Sequence, residues 1–389
     1  MAYNIRMAHI SLVLPFALPA PEFASDLIRA LEAPGLAALL SRTSFQRFHP
    51  LEAAARVLPH ELFIARTLGL AQGVVPRLAT SAMRGHGLDP DDGTWFIVNP
   101  AHIQIASTHL LMSDPRQLDL REDEGRALFE SACTAFEEAG YVLRYGSADT
   151  WFMRADGWNE LHTSSPDAAV GMNLTDWMPS GSPSRAFRKL QNEVQVTWYT
   201  HPVNAAREAR GQVAVNAIWP WGSASRAAVH AQRLLNRPRG PRPLQRSPET
   251  DLQPHLPPHL RVAADARHQG AGLPRLVTVD APGWLTAMSA RPLDRLADVM
   301  GEVERLDAGE ELLVVCGNAA GPAIAADWAG WLQEMARLEE ELFAPLLAAL
   351  GPVKQLRLVL SHRDGHLETT TTPMAQRKFW RRPTLEALS

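Results

Sequence analysis

The chain contains little cysteine: Cys133 and Cys316 are its two residues of that type among 389. So few exclude a disulfide-stapled scaffold, and a chain of this length buries a large core without staples. Cys133 falls on a helical pattern and Cys316 ends a strand pattern, which reads as two buried, reduced thiols rather than a bridge. No apolar run reaches the ~20 residues of a membrane helix. Charge is nearly balanced, with 38 Lys and Arg against 42 Asp and Glu and a formal net charge of −4. That balance points to neither a nucleic-acid nor a membrane partner. There is no glycine-rich phosphate loop, no GxSxG elbow and no CxxC pair, so the common signatures of nucleotide, serine-hydrolase and thiol chemistry are missing.

Proline and tryptophan are abundant, with 30 and 11 residues. Tryptophan needs a packed site and a partner for its N–H. Many of the prolines gather in one stretch. Asn236–Pro274 holds Pro238, Pro241, Pro243, Pro248, Pro254, Pro257, Pro258 and Pro274, with Arg237, Arg239, Arg242 and Arg246 among the early ones. Its apolar residues are too sparse for a core, and it reads as a solvated, polyproline-like linker. At the other end, MAYNIRMAHISLVLPFALPAPEF carries the ingredients of a weak secretory signal. Pro15 interrupts its apolar run, and the preferred reading makes His9–Leu14 the first buried strand of a cytoplasmic α/β protein.

Beyond that strand, apolar spacing predicts two short helices over Pro21–Leu40, broken at Pro34-Gly35, and another over His60–Leu70. Trp95–Asn99 and His102–Ala106 read as strands, with Thr108–Met112 continuing the second. Asp119–Ala139 is an amphipathic helix, and Tyr141–Arg144 and Thr150–Arg154 form a strand pair. Ser184–His201 is the clearest helix: Phe187, Leu190, Val194 and Trp198 share a stripe. Val203–Arg210 is a two-turn helix, Val213–Trp219 a strand and Ala224–Leu235 a helix. After the linker come a strand at Leu276–Val279, a helix over Ala290–Arg305, a strand at Glu311–Cys316, a long helix over Trp328–Leu350 and strands at Gln355–His362 and His366–Thr372. Strands separated by helices on both sides of the linker argue for one α/β sheet built by both halves of the chain.

Two stretches hold residues fit for chemistry. HPVNAAREARGQVAVNAIWPWG, residues 201–222, reads as a strand ending in Trp219-Pro220-Trp221-Gly222 and turning at once into a helix. Ligands of open α/β sheets sit beyond the carboxyl ends of strands, and the next helix offers free N–H groups to an anion. Asn204, Arg207 and Arg210 lie on the preceding short helix, Arg226 in the first turn of the following one, and Asn216 on the strand. Guanidinium groups present paired donors to carboxylate and phosphate. The plainer alternative makes the two Trp a seal, Asn204 a cap and the Arg pair a solvated face. In the second stretch, SHRDGHLETTTT, residues 361–372, the side chains of His362, Asp364, His366 and Glu368 alternate, as a metal set on one strand face would. The preferred reading is a hairpin turning at Arg363-Asp364-Gly365. His49 and His60 are isolated and read as structural.

Leu190–Gly222, with WFIVNPAHIQIASTHLLM (Trp95–Met112) and the closing KFWRRP (Lys378–Pro383), resembles a bacterial phosphoglycerate-mutase-like family also described as regulators of pathogenicity factors. That family is similar to the archaeal-type cofactor-independent phosphoglycerate mutases of the alkaline-phosphatase superfamily. The resemblance implies an alkaline-phosphatase-like α/β mixed sheet flanked by helices, with a small inserted α+β cap. It carries over Arg207, Asn216, Trp219, Trp221 and Gly222 as a binding corner, with Pro220 where an apolar residue is usual. The superfamily ends its first strand in a metal-binding Asp-Gly; here Leu14-Pro15-Phe16 stands there. Its Asp-His pair after a later strand is missing too, and Val359-Leu360-Ser361-His362 runs into a turn. Two-metal phosphoryl transfer needs that cage.

The expected organisation is therefore 1–94 as the first part of the core, 95–180 as the cap, 181–235 as core with the binding corner, 236–274 as linker and 275–389 as the second part of the core. The expected function is a catalytically stripped regulatory or binding module. Asn204, Arg207, Arg210, Asn216, Trp219, Trp221 and Gly222 would hold a small phosphorylated or carboxylate metabolite, or serve a protein partner. No catalytic residue, metal or cofactor is assigned. The alternative is a metal-dependent phosphomutase or phosphatase.

Overall fold

The computed structural model describes residues 7–52, 55–106, 109–225, 273–351 and 354–389. Arg226, the rest of the helix expected over Ala224–Leu235 and nearly all of the linker lie outside the described residues, as does the start of the signal-like N-terminus. In chain order the strands are β1 (Ala8–Leu14), β2 (Phe45–Pro50), β3 (Ala71–Gln72), β4 (Val75–Pro76), β5 (Thr94–Ala101), β6 (Ile103–Ala106), β7 (His109–Met112), β8 (Val142–Ser147), β9 (Thr150–Arg154), β10 (Ala217–Ser225), β11 (Arg275–Val279), β12 (Arg291–Leu293), β13 (Glu311–Cys316), β14 (Lys354–His362) and β15 (Gly365–Thr371).

A seven-stranded mixed sheet runs β12-β11-β13-β1-β14-β15-β2. Its first five strands are parallel, and β15 and β2 extend it with antiparallel pairings. Strands buried on both faces read as nearly continuous apolar runs, which is why SLVL, ELLVVC and LRLVL stand out in the sequence. The period of two divides them. Ile10, Leu12, Leu14, Leu312, Val314, Leu356 and Leu358 face one core, with Leu27, Leu36, Leu39, Trp331, Met335 and Leu342 from flanking helices. Val13, Leu313, Val315 and Val359 face the other. Cys316 is buried, Cys133 half-buried, and both thiols are free. No helix among the described residues is long and apolar enough to cross a membrane.

A four-stranded antiparallel sheet, β10-β5-β9-β8, lies over that second face. Trp95, Ile97, Phe152, Trp219 and Trp221 join the shared core. Phe96, Val98, Trp151 and Ile218 point the other way, onto Phe136 of the helix Glu122–Glu138 and onto Phe187, Leu190, Val194 and Trp198 of the helix Ser184–Tyr199. The predicted stripe is therefore buried, but against the small sheet. The expectation that 181–235 returns to the large sheet fails at β10, which pairs with β5. An alternating strand states which residues are buried and not which sheet buries them.

Several elements differ from their predicted form. Thr108–Met112 does not continue the preceding strand; β7 folds back on β6 as a hairpin. Ala290–Arg305 divides into β12 and a helix at Asp298–Glu304. β2 carries exposed Phe45 and Phe48 and shows no buried alternation to detect. The long helix over Trp328–Leu350 holds a π turn at Glu339–Phe343. Pro345 lies just beyond it and has no N–H for the helical ladder, a common cause of such irregularity. The π turn places the buried carboxylate of Glu339 at the start of the helix Pro34–Ser41, where it accepts from Gly35 N–H at 2.7 Å and Leu36 N–H at 3.0 Å. That helix has no side-chain cap of its own. A Cβ on Gly35 would meet Glu339 Oε1 at 2.7 Å, so the approach requires glycine. Replacing Glu339→Ala strands two buried donors and will cost about 2 kcal/mol. Chemical denaturation measures it, and Glu339→Gln will recover part of the loss.

Candidate functional site

The residues of the predicted corner do not converge. β10 passes straight through Trp219-Pro220-Trp221-Gly222 to Ser225, so no strand–turn–helix corner forms there. Pro220 is tolerated because β10 is an edge strand, and Gly222, at φ 62°, supplies the irregularity between Trp221 and Ala224. Asn204 is buried: its Nδ2 donates to the carbonyls of Trp198 and Val215, and its Oδ1 accepts from Val215 N–H, each bond at 2.8 Å. Arg207 is fully buried and donates to Val213 O, Leu118 O and Glu124 Oε2. Arg210 takes the other oxygen of Glu124. Asn216 mimics a strand backbone against Ile103, exchanging two bonds of 2.8 Å. Trp219 donates to Ser164 O at 2.8 Å. Gly222 O accepts from Leu78 N–H. Of the seven, Trp221 lines the cavity described below.

In the second stretch the hairpin holds. Asp364 is exposed in the turn, and its N–H donates to His362 Nδ1 at 2.9 Å. His362 and Asp364 thus part from His366 and Glu368, which share a face of β15 with His49 opposite on β2.

The cavity lies where no motif marks a site. It has a volume of about 180 Å³ and sits at the carboxyl ends of β1, β11 and β13, between the two sheets. Pro15, Asp280 and Gly317 follow those strands; Glu61 comes from the helix Pro59–Thr67, Asp149 from the β8–β9 turn, and Trp284 from the helix Gly283–Met288. Carboxyl ends of parallel strands are where open α/β sheets bind ligands. Two of the four non-glycine residues with positive φ among the described residues adjoin it, Phe16 at 57° and Asp280 at 48°. Such backbone states collect at functional sites. Gly317 is obligatory, since a Cβ there would stand 2.0 Å from Asp280 O.

Its electrostatics are mostly negative. Arg116 contacts both oxygens of Asp167 at 3.1 Å and Asp114 at 3.0 Å. Burial opposes its charge, but the two aspartates outweigh burial and raise its pKa. Burial pushes Glu61 up to about 7, with the Asp167 charge adding, against hydrogen bonds from Ser165 and Leu58. Burial takes His60 down to about 3, and its Nδ1 lies 2.8 Å from Ser361 Oγ. Trp221 and Trp284 meet edge to face at 5.5 Å, and Trp221 Nε1 donates to Asn99 Oδ1 at 2.6 Å. The arrangement can exchange a proton at Glu61 near neutrality and can surround a cationic or donor-rich group.

The two-metal cage of phosphomutases does not fit these residues. The resemblance places a metal-binding carboxylate after β1, but Pro15 follows that strand, and Phe16 beyond it lies edge-on to His60 at 5.3 Å and 5.7 Å from the Arg363 guanidinium. Asp167 is committed to Arg116, and Asp149 Oδ1 accepts from Ser147 and Thr150.

The fold has solved neighbours. Thirteen solved chains match it in structure. The PH0037 protein from Pyrococcus horikoshii matches with a TM-score of 0.54 at 10% identity, over 99% of this chain and 92% of that one. A cofactor-independent phosphoglycerate mutase from Thermoplasma acidophilum DSM 1728 matches with a TM-score of 0.40 at 13% identity, over 98% and 94%. The first likeness is one of fold alone; the second is too distant to argue from. No protein-family model matches the chain, and no curated protein matches it in sequence. The bacterial family resemblance therefore rests on the quoted residues by themselves.

Glu61 holds its proton more tightly folded than unfolded. Its contribution is fully present below its ordinary value of 4.5 and is lost as pH rises to about 7. Unfolding free energy will fall on the order of 3 kcal/mol more across that window in the native chain than in Glu61→Gln, as denaturation at a series of pH values will measure.

Proposed function

We propose that this chain is a binding module on a phosphomutase-like scaffold, without phosphoryl-transfer activity, and that its ligand occupies the cavity at the ends of β1, β11 and β13. In this reading the small α+β sheet with its helices acts as the cap over the site. The reading rests on one observation: Asp149, Asp280 and Glu61 line a small cavity together with the paired rings of Trp221 and Trp284, while its guanidinium, Arg116, is neutralised by two aspartates. Carboxylates between aromatic rings suit an ammonium or other cationic group. A phosphorylated or carboxylate metabolite, the ligand expected from the sequence, would meet like charge there. The Arg pair behind that expectation is consumed by Glu124. The volume of about 180 Å³ falls below the roughly 300–1,000 Å³ of drug-sized sites, so the ligand is small. A regulatory role would follow if ligand occupancy changed how the two sheets pack.

Tryptophan fluorescence tests this directly, because Trp221 and Trp284 wall the cavity. Titration with a short diamine or an amino sugar will shift emission saturably, and Asp280→Asn will weaken binding at least about tenfold, the loss of one charged hydrogen bond. Three-carbon phosphorylated acids will leave emission unchanged; saturable binding of such an acid with the amines inert would contradict the reading.

A further inference from the structure

The outer strands of the large sheet hold a second cluster. His49 of β2 stands directly across from His366 of β15, and Glu368 follows two residues along on the same face. One donor atom from each residue lies within 4.8 Å of the other two. The imidazoles stack with centroids 4.7 Å apart and planes 13° apart. His49 Nε2 lies 3.1 Å from Glu368 Oε2, so the carboxylate already faces this imidazole nitrogen.

We propose that His49, His366 and Glu368 bind a divalent ion of the zinc class. Two imidazoles and a carboxylate are the ligand set of zinc sites that keep a fourth position open. Ligands about 2.1 Å from a tetrahedral ion stand about 3.4 Å apart, so modest side-chain rotation closes this set onto a metal. The surroundings orient the ligands. Arg357 Nε lies 3.4 Å from Glu368 Oε1, at the oxygen away from His49. The Phe63 ring lies edge-on to His366 at 5.8 Å. Burial favours the neutral form of both imidazoles, the form a metal needs. Arg47 and Arg66, whose charges act on the same imidazoles, oppose a cation and make the site weaker than a dedicated structural one. The His49 side chain is 32% exposed, so solvent and ions reach the edge of the cluster.

The site is independent of the binding reading, because none of its three ligands lines the cavity. It also differs from the alternative metal set along residues 361–372: β2 supplies the third ligand, and His362 and Asp364 are left out.

The full chain, freed of metal with a chelator and dialysed, is titrated calorimetrically with Zn²⁺ and, by visible absorption, with Co²⁺. One ion per chain is expected, with the intense absorption of four-coordinate Co²⁺. His366→Ala and the near-isosteric Glu368→Gln will each weaken binding by more than about a hundredfold, beyond what outer partners supply. His362→Ala, in the neighbouring turn, will bind as the native chain does. Circular dichroism verifies the fold of each variant, and Glu368→Gln decides the matter if His366→Ala fails to fold. Absence of binding at millimolar Zn²⁺, or stoichiometric binding that survives Glu368→Gln unweakened, overturns the proposal.

Discussion

The backbone of Phe16 is fixed from both sides. Its N–H donates to Ser361 Oγ at 3.3 Å, and its carbonyl accepts from Trp331 Nε1 at 2.9 Å. β1 is a central strand, paired with β13 on one side and β14 on the other, so the place where it stops governs the floor of the cavity. Ser361 also meets His60 Nδ1. The ends of β1 and β14, the helix carrying Glu61 and the long C-terminal helix carrying Trp331 therefore form one hydrogen-bonded unit. These bonds close the strand end, and the left-handed conformation of Phe16 is held by the structure around it.

Charge follows a similar economy. Glu124 is enclosed by Arg207 and Arg210, Arg116 lies between Asp114 and Asp167, and Arg363 donates to the carbonyls of Asp167, Ala168 and Val170. Buried pairs of this kind add little net stability but are expensive to break from one side, so they fix positions. Cations that a sequence would offer to an anionic ligand are spent inside the protein. Carboxylates at the strand ends are what remain for a ligand, and they set the sign of the cavity.

Most of the large sheet was legible because β1, β11, β13 and β14 are buried on both faces and the long helix shows a clear stripe; Trp331, Met335, Leu338, Leu342 and Leu346 are all buried as their spacing implies, whereas exposed β2 and β12 left no such pattern. The hairpin at Arg363-Asp364-Gly365 was legible from turn chemistry alone. The corner at Trp219–Gly222 was not, because Pro and Gly in sequence signal a break, whereas an edge strand accommodates both. Arg207 looked like a ligand residue because its partner Glu124 is 83 positions away. The cavity was hidden for the same reason: Glu61, Asp149, Asp280 and Trp284 are scattered along the chain and meet through topology.

The central proposal is that this chain receives a cationic group in its cavity and does not turn over phosphate esters. Phosphomonoester turnover by the purified full chain, assayed with saturating Mn²⁺, Mg²⁺ or Zn²⁺, tests it most directly. The account predicts a rate no higher than that of Asp280→Ala under each metal. Metal-dependent turnover that Asp280→Ala abolishes would contradict it.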